Sequence, residues 1–184
     1  WGLTWTGRGW TQEKNLPAPV RREAKVSAEE QANHLVEIQV ELAWLGDPIT
    51  FPYFLEAHVA GGKLEVRGYV PGKTVQEHAV RLAKLNCALP VQDQTREHSS
   101  LAVRSASLAP EKLQTSVKSA LNHALPHSAR GLHVSCDVDG KVTVEGPVKT
   151  FDEKLAVSQS LRRLHGCAYV VNMTRAEAIA GEAP

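Results

Sequence analysis

The sequence predicts an α+β protein of two tandem αββαβ units, each a three-stranded sheet with two helices on one face. Three observations carry this. Segments of the 184-residue chain repeat at an offset of 78 to 79 positions. Within each copy the apolar period switches from 2 to about 3.6 and back, as a strand pair, a helix and a further strand require. Ser/Thr-x-x-Glu sequences stand where helices should begin.

Ser27-x-x-Glu30 opens a first helix with Leu35, Ile38, Leu42 and Leu45 on one face, and Gly46-Asp47-Pro48 ends it. Leu55, Ala57 and Val59 alternate as a half-buried strand. Ala60-Gly61-Gly62-Lys63 reads as a four-residue turn, and Leu64-Glu65-Val66-Arg67-Gly68-Tyr69-Val70 as the returning strand. Thr74-x-x-Glu77 forms a second capping box before a helix carrying Val75, Ala79, Leu82 and Ala83 on one stripe, and a short third strand follows at residues 89–94.

The second copy opens at Pro110, a favoured first helical position, with Leu113, Val117, Leu121, Ala124 and Leu125 inward and Pro126 as the stop. Val134, Cys136 and Val138 match Leu55, Ala57 and Val59. Asp139-Gly140-Lys141 makes a three-residue turn with Gly140 left-handed, and Val142-Thr143-Val144-Glu145-Gly146-Pro147-Val148 returns. Thr150-x-x-Glu153 caps a helix carrying Leu161 and Leu164, one turn earlier in its repeat than Thr74 is in the first. A third strand at residues 168–174 is rich in Val and Tyr. The chain thus divides into an arm at 1–27, a first unit at 28–95, a polar linker at 96–107, a second unit at 108–175 and a tail at 176–184. With both helices on one side, each sheet keeps a spare face and open edges, an invitation to pair with its sister or with other copies.

Composition excludes several classes. With 42% hydrophobic residues and a net charge of +1, the chain is neither a disordered polyelectrolyte nor a dedicated nucleic-acid binder. No two of the thirteen glycines stand three apart, so the phosphate-clamping G-x-x-G loop of RNA-binding KH modules is missing, and no nucleic-acid partner is expected. No apolar run reaches the roughly 18 to 20 residues of a membrane span. The chain starts at Trp1 without an initiator Met, which reads as a mature or truncated product whose leader or anchor is missing. The near-neutral total hides opposed blocks. Residues 28–95 carry nine acidic and five basic side chains, while residues 107–175 carry six and nine. Such halves suit head-to-tail contact between copies.

Catalytic and metal chemistry find little support. Pro126 breaks the helical spacing of His123 and His127, His133 and Cys136 point to opposite faces of a strand, and His165 and Cys167 lack partners at zinc spacing. No Cys-His pair has an activating third group. No catalytic residue, metal or cofactor is therefore expected. The binding candidates are Trp1, Trp5, Arg8 and Trp10 in the arm, which suit a membrane headgroup region or the packing of tryptophans on another subunit or on the spare sheet face. Lys112 and Lys118, six apart on one helix, and Arg130 beyond it are basic positions able to meet lipid phosphates.

The second copy, from the Gly140 turn through Gly146, the helix ending Leu164-His165-Gly166-Cys167 and the strand Tyr169-Val170-Val171-Asn172-Met173, resembles the BON domain. The first copy keeps Gly62 and Gly68 but has Cys87 in place of Gly166 and Asp93 in place of Asn172. The resemblance covers residues 28–175. It implies a non-enzymatic protein of the bacterial envelope, periplasmic or membrane-associated, that binds anionic phospholipid or other envelope proteins. The alternative is a module that assembles into a homo-oligomeric ring or pore-associated scaffold. Gly62, Gly68, Gly140, Gly146, Gly166 and Asn172 are read as structural positions, with Gly68 and Gly146 allowing a strand bend or close helix packing.

Overall fold

In the computed structural model, which describes residues 27–101 and 108–177, the capping box at Ser27 forms as its spacing predicts. The Ser27 Oγ accepts from the Glu30 N–H at 3.1 Å and the Glu30 carboxylate accepts from the Ser27 N–H at 2.7 Å. It starts α1 (Ala28–Leu45). There follow β1 (Leu55–Ala60), β2 (Lys63–Val70), α2 (Lys73–Asn86) and β3 (Val91–Glu97), then α3 (Pro110–Ala124), β4 (His133–Cys136), β5 (Lys141–Val148), α4 (Phe151–Arg162) and β6 (Tyr169–Ala176). Each unit is a three-stranded sheet with its middle strand antiparallel to the first and parallel to the third, in the orders β1-β2-β3 and β4-β5-β6. The helices of each unit pack on one face, α1 and α2 on the first sheet and α3 and α4 on the second. The αββαβ reading holds twice.

Several local expectations are corrected. The first hairpin turns on two residues, Gly61 and Gly62, both at positive φ, rather than on four; only glycines enter this turn without strain. The second turns on residues 138–140, one position earlier than expected. Gly140 donates to the Asp137 carbonyl and Asp137 to the Lys141 carbonyl, so Val138 lies in the turn, 70% exposed, and not on the inner strand face. Thr74 caps nothing: α2 starts one residue before it, on Gly72, whose extended backbone supplies a carbonyl but no side chain. Thr150 does cap α4, but the Glu153 carboxylate turns to the Lys149 N–H and the Ser128 hydroxyl instead of closing the box, and the two helices start one residue apart in register rather than a turn. Leu164 lies beyond α4, and Ala124 faces solvent. β3 and β6 run to Glu97 and Ala176, beyond the expected strand ends.

The main departure concerns α1. Its stripe of Leu35, Ile38, Leu42 and Leu45, which the spacing puts on one face, does not enter the core of the first unit. The face that enters that core instead carries Val36, Val40 and Trp44, the last donating its indole N–H to the Ala79 carbonyl at 2.9 Å. Leu45 belongs with Leu113, Leu121, Val142 and Val170 in the core of the second unit, and Ile38 is 2% exposed. The helix is apolar on two sides because it is covered on two sides. After it, the Asp47 carboxylate accepts from the N–H groups of Ile49 and Thr50, and the Thr50 hydroxyl donates to the Trp44 carbonyl at 2.8 Å. This turn swings Phe51, 2% exposed, into the same second core. Acidic and basic halves thus meet within one chain. The His34 Nε2 stands 2.6 Å from the Asp152 carboxylate, the Gln159 amide donates to Glu41 at 3.1 Å, and the Arg162 guanidinium donates to the Tyr53 carbonyl at 3.3 Å.

The sheets do not join, and one or two outward backbone groups on each edge strand are satisfied by side chains of the same unit. The outward N–H groups of Ala57 and Val59 on β1 donate to the carboxylates of Glu41 (3.2 Å) and Glu37 (2.7 Å). On β4 the Val134 carbonyl accepts from Gln114 at 2.8 Å. On the opposite edges the Thr95 N–H donates to Asp93 and the Thr174 N–H to Asn172. The expected edge pairing with the sister sheet is thus not made, and β1, with two of its outward N–H groups taken, is a poor template for another strand.

Candidate functional site

Gly68 and Gly146 share φ +132°, a backbone that residues with a Cβ rarely adopt. At Gly68 a Cβ would collide with the Phe54 carbonyl, and at Gly146 with the Gly131 carbonyl. The glycines therefore admit a neighbouring backbone to the middle strand, rather than a helix. Gly166, at φ +88°, meets Leu108 at 2.6 Å from where its Cβ would stand, and Gly140 makes its turn against the Gly166 carbonyl. Asn172 ties β6 to α4 by donating to the Lys154 carbonyl (2.7 Å) and the Ser158 hydroxyl (2.9 Å), while its oxygen accepts from both Thr174 groups. Asp93 repeats the second half of this arrangement on Thr95 and, lacking an amide, cannot make the first. Cys87 corresponds by its contacts to Cys167, not to Gly166: each thiol points at the carbonyl two residues on.

Through Gly68 the sequence motif places Phe54. This ring is half exposed, beside Tyr69, itself 51% exposed and edge-on to His98 at 6.2 Å between centroids. From the second unit, the end of α4 brings Arg162 over the Phe54 ring at 3.9 Å and Arg163 to 6.0 Å. Phe54 is the wall between two depressions. One, about 620 Å³, is a polar cleft between the units lined by Arg67, Arg162 and Arg163 and by Glu41 and Glu56. The other, about 420 Å³, is lined by Pro52, Tyr53, Tyr69, His98 and Leu101. Burial raises the Glu41 carboxyl, against the Ala57 N–H and the Gln159 amide, which favour its charged form. The Asp152 hydrogen bond raises His34 above its ordinary value.

The basic candidates do not gather here. Lys112 and Lys118 are exposed on α3, but six residues place them about 120° apart around the helix axis, and Arg130 is exposed in a separate 3₁₀ turn. Trp1, Trp5, Arg8 and Trp10 lie outside the described residues. Sequence reasoning missed Phe54, Tyr69, Arg162 and Arg163, whose juxtaposition spans more than ninety positions; the paired arginines at the end of a helix were the one local signal. Cys136 and Cys167 are poorly suited as nucleophiles. Burial pushes the Cys167 thiol up to about 12 and raises Cys136 as well, so neither is a thiolate at neutral pH.

No family model matches the chain, and no curated protein matches its sequence. Among solved structures it is similar to the C-terminal domain of CdsD, the structural protein of the type III secretion system of Chlamydia trachomatis. The identity is 13%, the TM-score 0.32, and the alignment covers 79% of this chain and 67% of that one.

Proposed function

We propose that this chain is a non-enzymatic module of the bacterial cell envelope in which two BON-like units, docked as one body, hold an arginine- and aromatic-lined surface against anionic phospholipid headgroups. The observation that carries the reading is the Phe54 ring under Arg162 and Arg163, contributed by different units and flanked by the exposed Tyr69. Aromatic rings favour the headgroup region and guanidinium groups pair with phosphate oxygens, so the combination suits a membrane surface better than either alone. The envelope assignment rests on the motif around Gly146, Gly166 and Asn172. The Trp-rich arm, with Trp1, Trp5, Arg8 and Trp10, supplies a second contact, and Lys112, Lys118 and Arg130 contribute only as scattered charge. A homo-oligomeric scaffold is the competing reading. The Ala57 and Val59 N–H groups on β1, taken by Glu41 and Glu37, disfavour strand pairing at that edge as the route to it.

Flotation with vesicles of anionic and of neutral phospholipid, at low and high salt, tests the proposal. Binding is expected only to anionic vesicles, to weaken with salt, and to be lost in a Phe54→Ser, Arg163→Glu double variant. Equal binding to neutral vesicles, or an unchanged double variant, refutes it. A lipid-free sample running far beyond 20.1 kDa would favour the scaffold.

A further inference from the structure

Docking of the two units opens a groove that neither possesses alone, about 650 Å³ in volume. Its apolar lining is Leu35, Ile38 and Leu42 from α1 and Phe151, Val170 and Val171 from the second unit. Leu35 and Phe151 remain 45% and 47% exposed, an unusual expense of apolar surface at a junction so well buried elsewhere. This is the outer part of the α1 stripe that turned away from its own core. The groove lies at the start of α4 and the Arg162 surface at its end, about 17 Å apart by helix rise.

We infer that the groove is the seat of this chain's own amino-terminal arm, with one or more of Trp1, Trp5 and Trp10 filling it. Reach and charge both favour the arm. Leu35 is eight residues and Leu42 fifteen residues beyond Ser27 on a continuous helix, so they lie about 12 and 22 Å from where the arm joins. The seventeen residues from Trp10 to Ser27 span up to about 56 Å when extended, so the arm can double back along α1 without a second copy. Arg21, Arg22 and Lys25 precede a helix whose first turn exposes Glu29 and Glu30, and Asp152 stands exposed beside Phe151. Lys154 is the one charged residue in the lining itself, so the charge match lies at the approaches to the groove, at Glu29, Glu30 and Asp152, and the groove takes the arm's apolar rings. The inference does not depend on the phospholipid reading, because it concerns the protein without lipid.

Trp44 is 2% exposed, so acrylamide quenching in the full chain reads mainly the arm tryptophans. In the lipid-free protein, quenching is expected to stay well below that of free tryptophan. In a Leu35→Lys, Phe151→Lys double variant it should rise to that level, with red-shifted emission and faster tryptic cleavage at Arg21, Arg22 and Lys25. Both replaced side chains are half exposed, and unchanged far-ultraviolet circular dichroism would show that the variant still folds. Free-tryptophan quenching in the unaltered protein, or equal quenching in the two, overturns the inference. Protection that appears only with rising protein concentration assigns the groove to a second copy and overturns it too, as does protection that appears only with vesicles.

Discussion

Replacing Phe51 by Ala separates two accounts of the chain, a pair of independent units on a linker or one body with shared cores. Phe51 is 2% exposed and belongs to the first unit in sequence but to the second in packing. An aromatic side chain buries ~150–250 Å². At ~25 cal/mol per Å² the transfer term alone reaches ~4–6 kcal/mol as an upper bound. Ala keeps one carbon and the site collapses in part, leaving an expected loss of ~3–4 kcal/mol. Units of this size bury little surface by themselves, so that loss is a large fraction of the total. Urea unfolding by circular dichroism gives the overall change. Hydrogen exchange of the β2 and β5 amides reads the units separately. The expected outcome is a loss near 3 kcal/mol that falls on the β5 amides, with the single transition broadening or splitting. A loss below ~1 kcal/mol, or one confined to β2, would refute the shared-core account.

Three further outcomes are expected. Gly146→Ala and Gly68→Ala should each cost more than ~2 kcal/mol in denaturant titrations, because a left-handed backbone and a carbonyl collision are imposed together; a cost near zero at either would mean the strand relaxes. Asn172→Asp should cost ~1–3 kcal/mol through loss of the donations to Lys154 and Ser158, while Asp93→Asn is tolerated, both read by thermal melts. His34 is held above its ordinary 6.5 by the Asp152 hydrogen bond, with Glu37 adding to it. Its contribution is fully present below 6.5 and lost as pH rises through the raised value. The pair is half exposed, so the effect is small, ~0.5 kcal/mol. A His34→Ala variant should accordingly remove a modest fall in melting temperature between pH 6 and pH 8, and an identical slope in both proteins would exclude the pair as its source.

The repeat was legible because it rests on local rules. The strand periods of Leu55/Ala57/Val59 and Leu64/Val66, the cap at Ser27, Pro110 at a helix start and the glycines at 68 and 146 all carry their reasons within a few neighbours. The partner of α1 was not legible by the same means. Its leucine stripe and its Val36/Val40/Trp44 stripe are both apolar, and periodicity cannot say which belongs to which core. That both exist was visible, and a helix apolar on two sides signals burial on two sides. The Phe54–Arg162 site lay further out of reach, since it needs the docking of the units. The opposed charge of the two halves was legible by counting, whereas their contact within one chain was not, because it depends on the docking of the units.

The first helices of the two units, α1 and α3, are unequal in how they can be packed. α1 spends one flank on its own sheet and the other on its neighbour, whereas its counterpart α3 buries Leu113, Val117 and Leu121 and turns Lys112, Thr115, Lys118, Ser119 and Asn122 to water. A third copy grafted downstream would find no second apolar flank on α3 to grip. The two units are therefore not interchangeable: reversing their order would leave the leucine flank uncovered and the hydrophilic helix pressed into a dry seam.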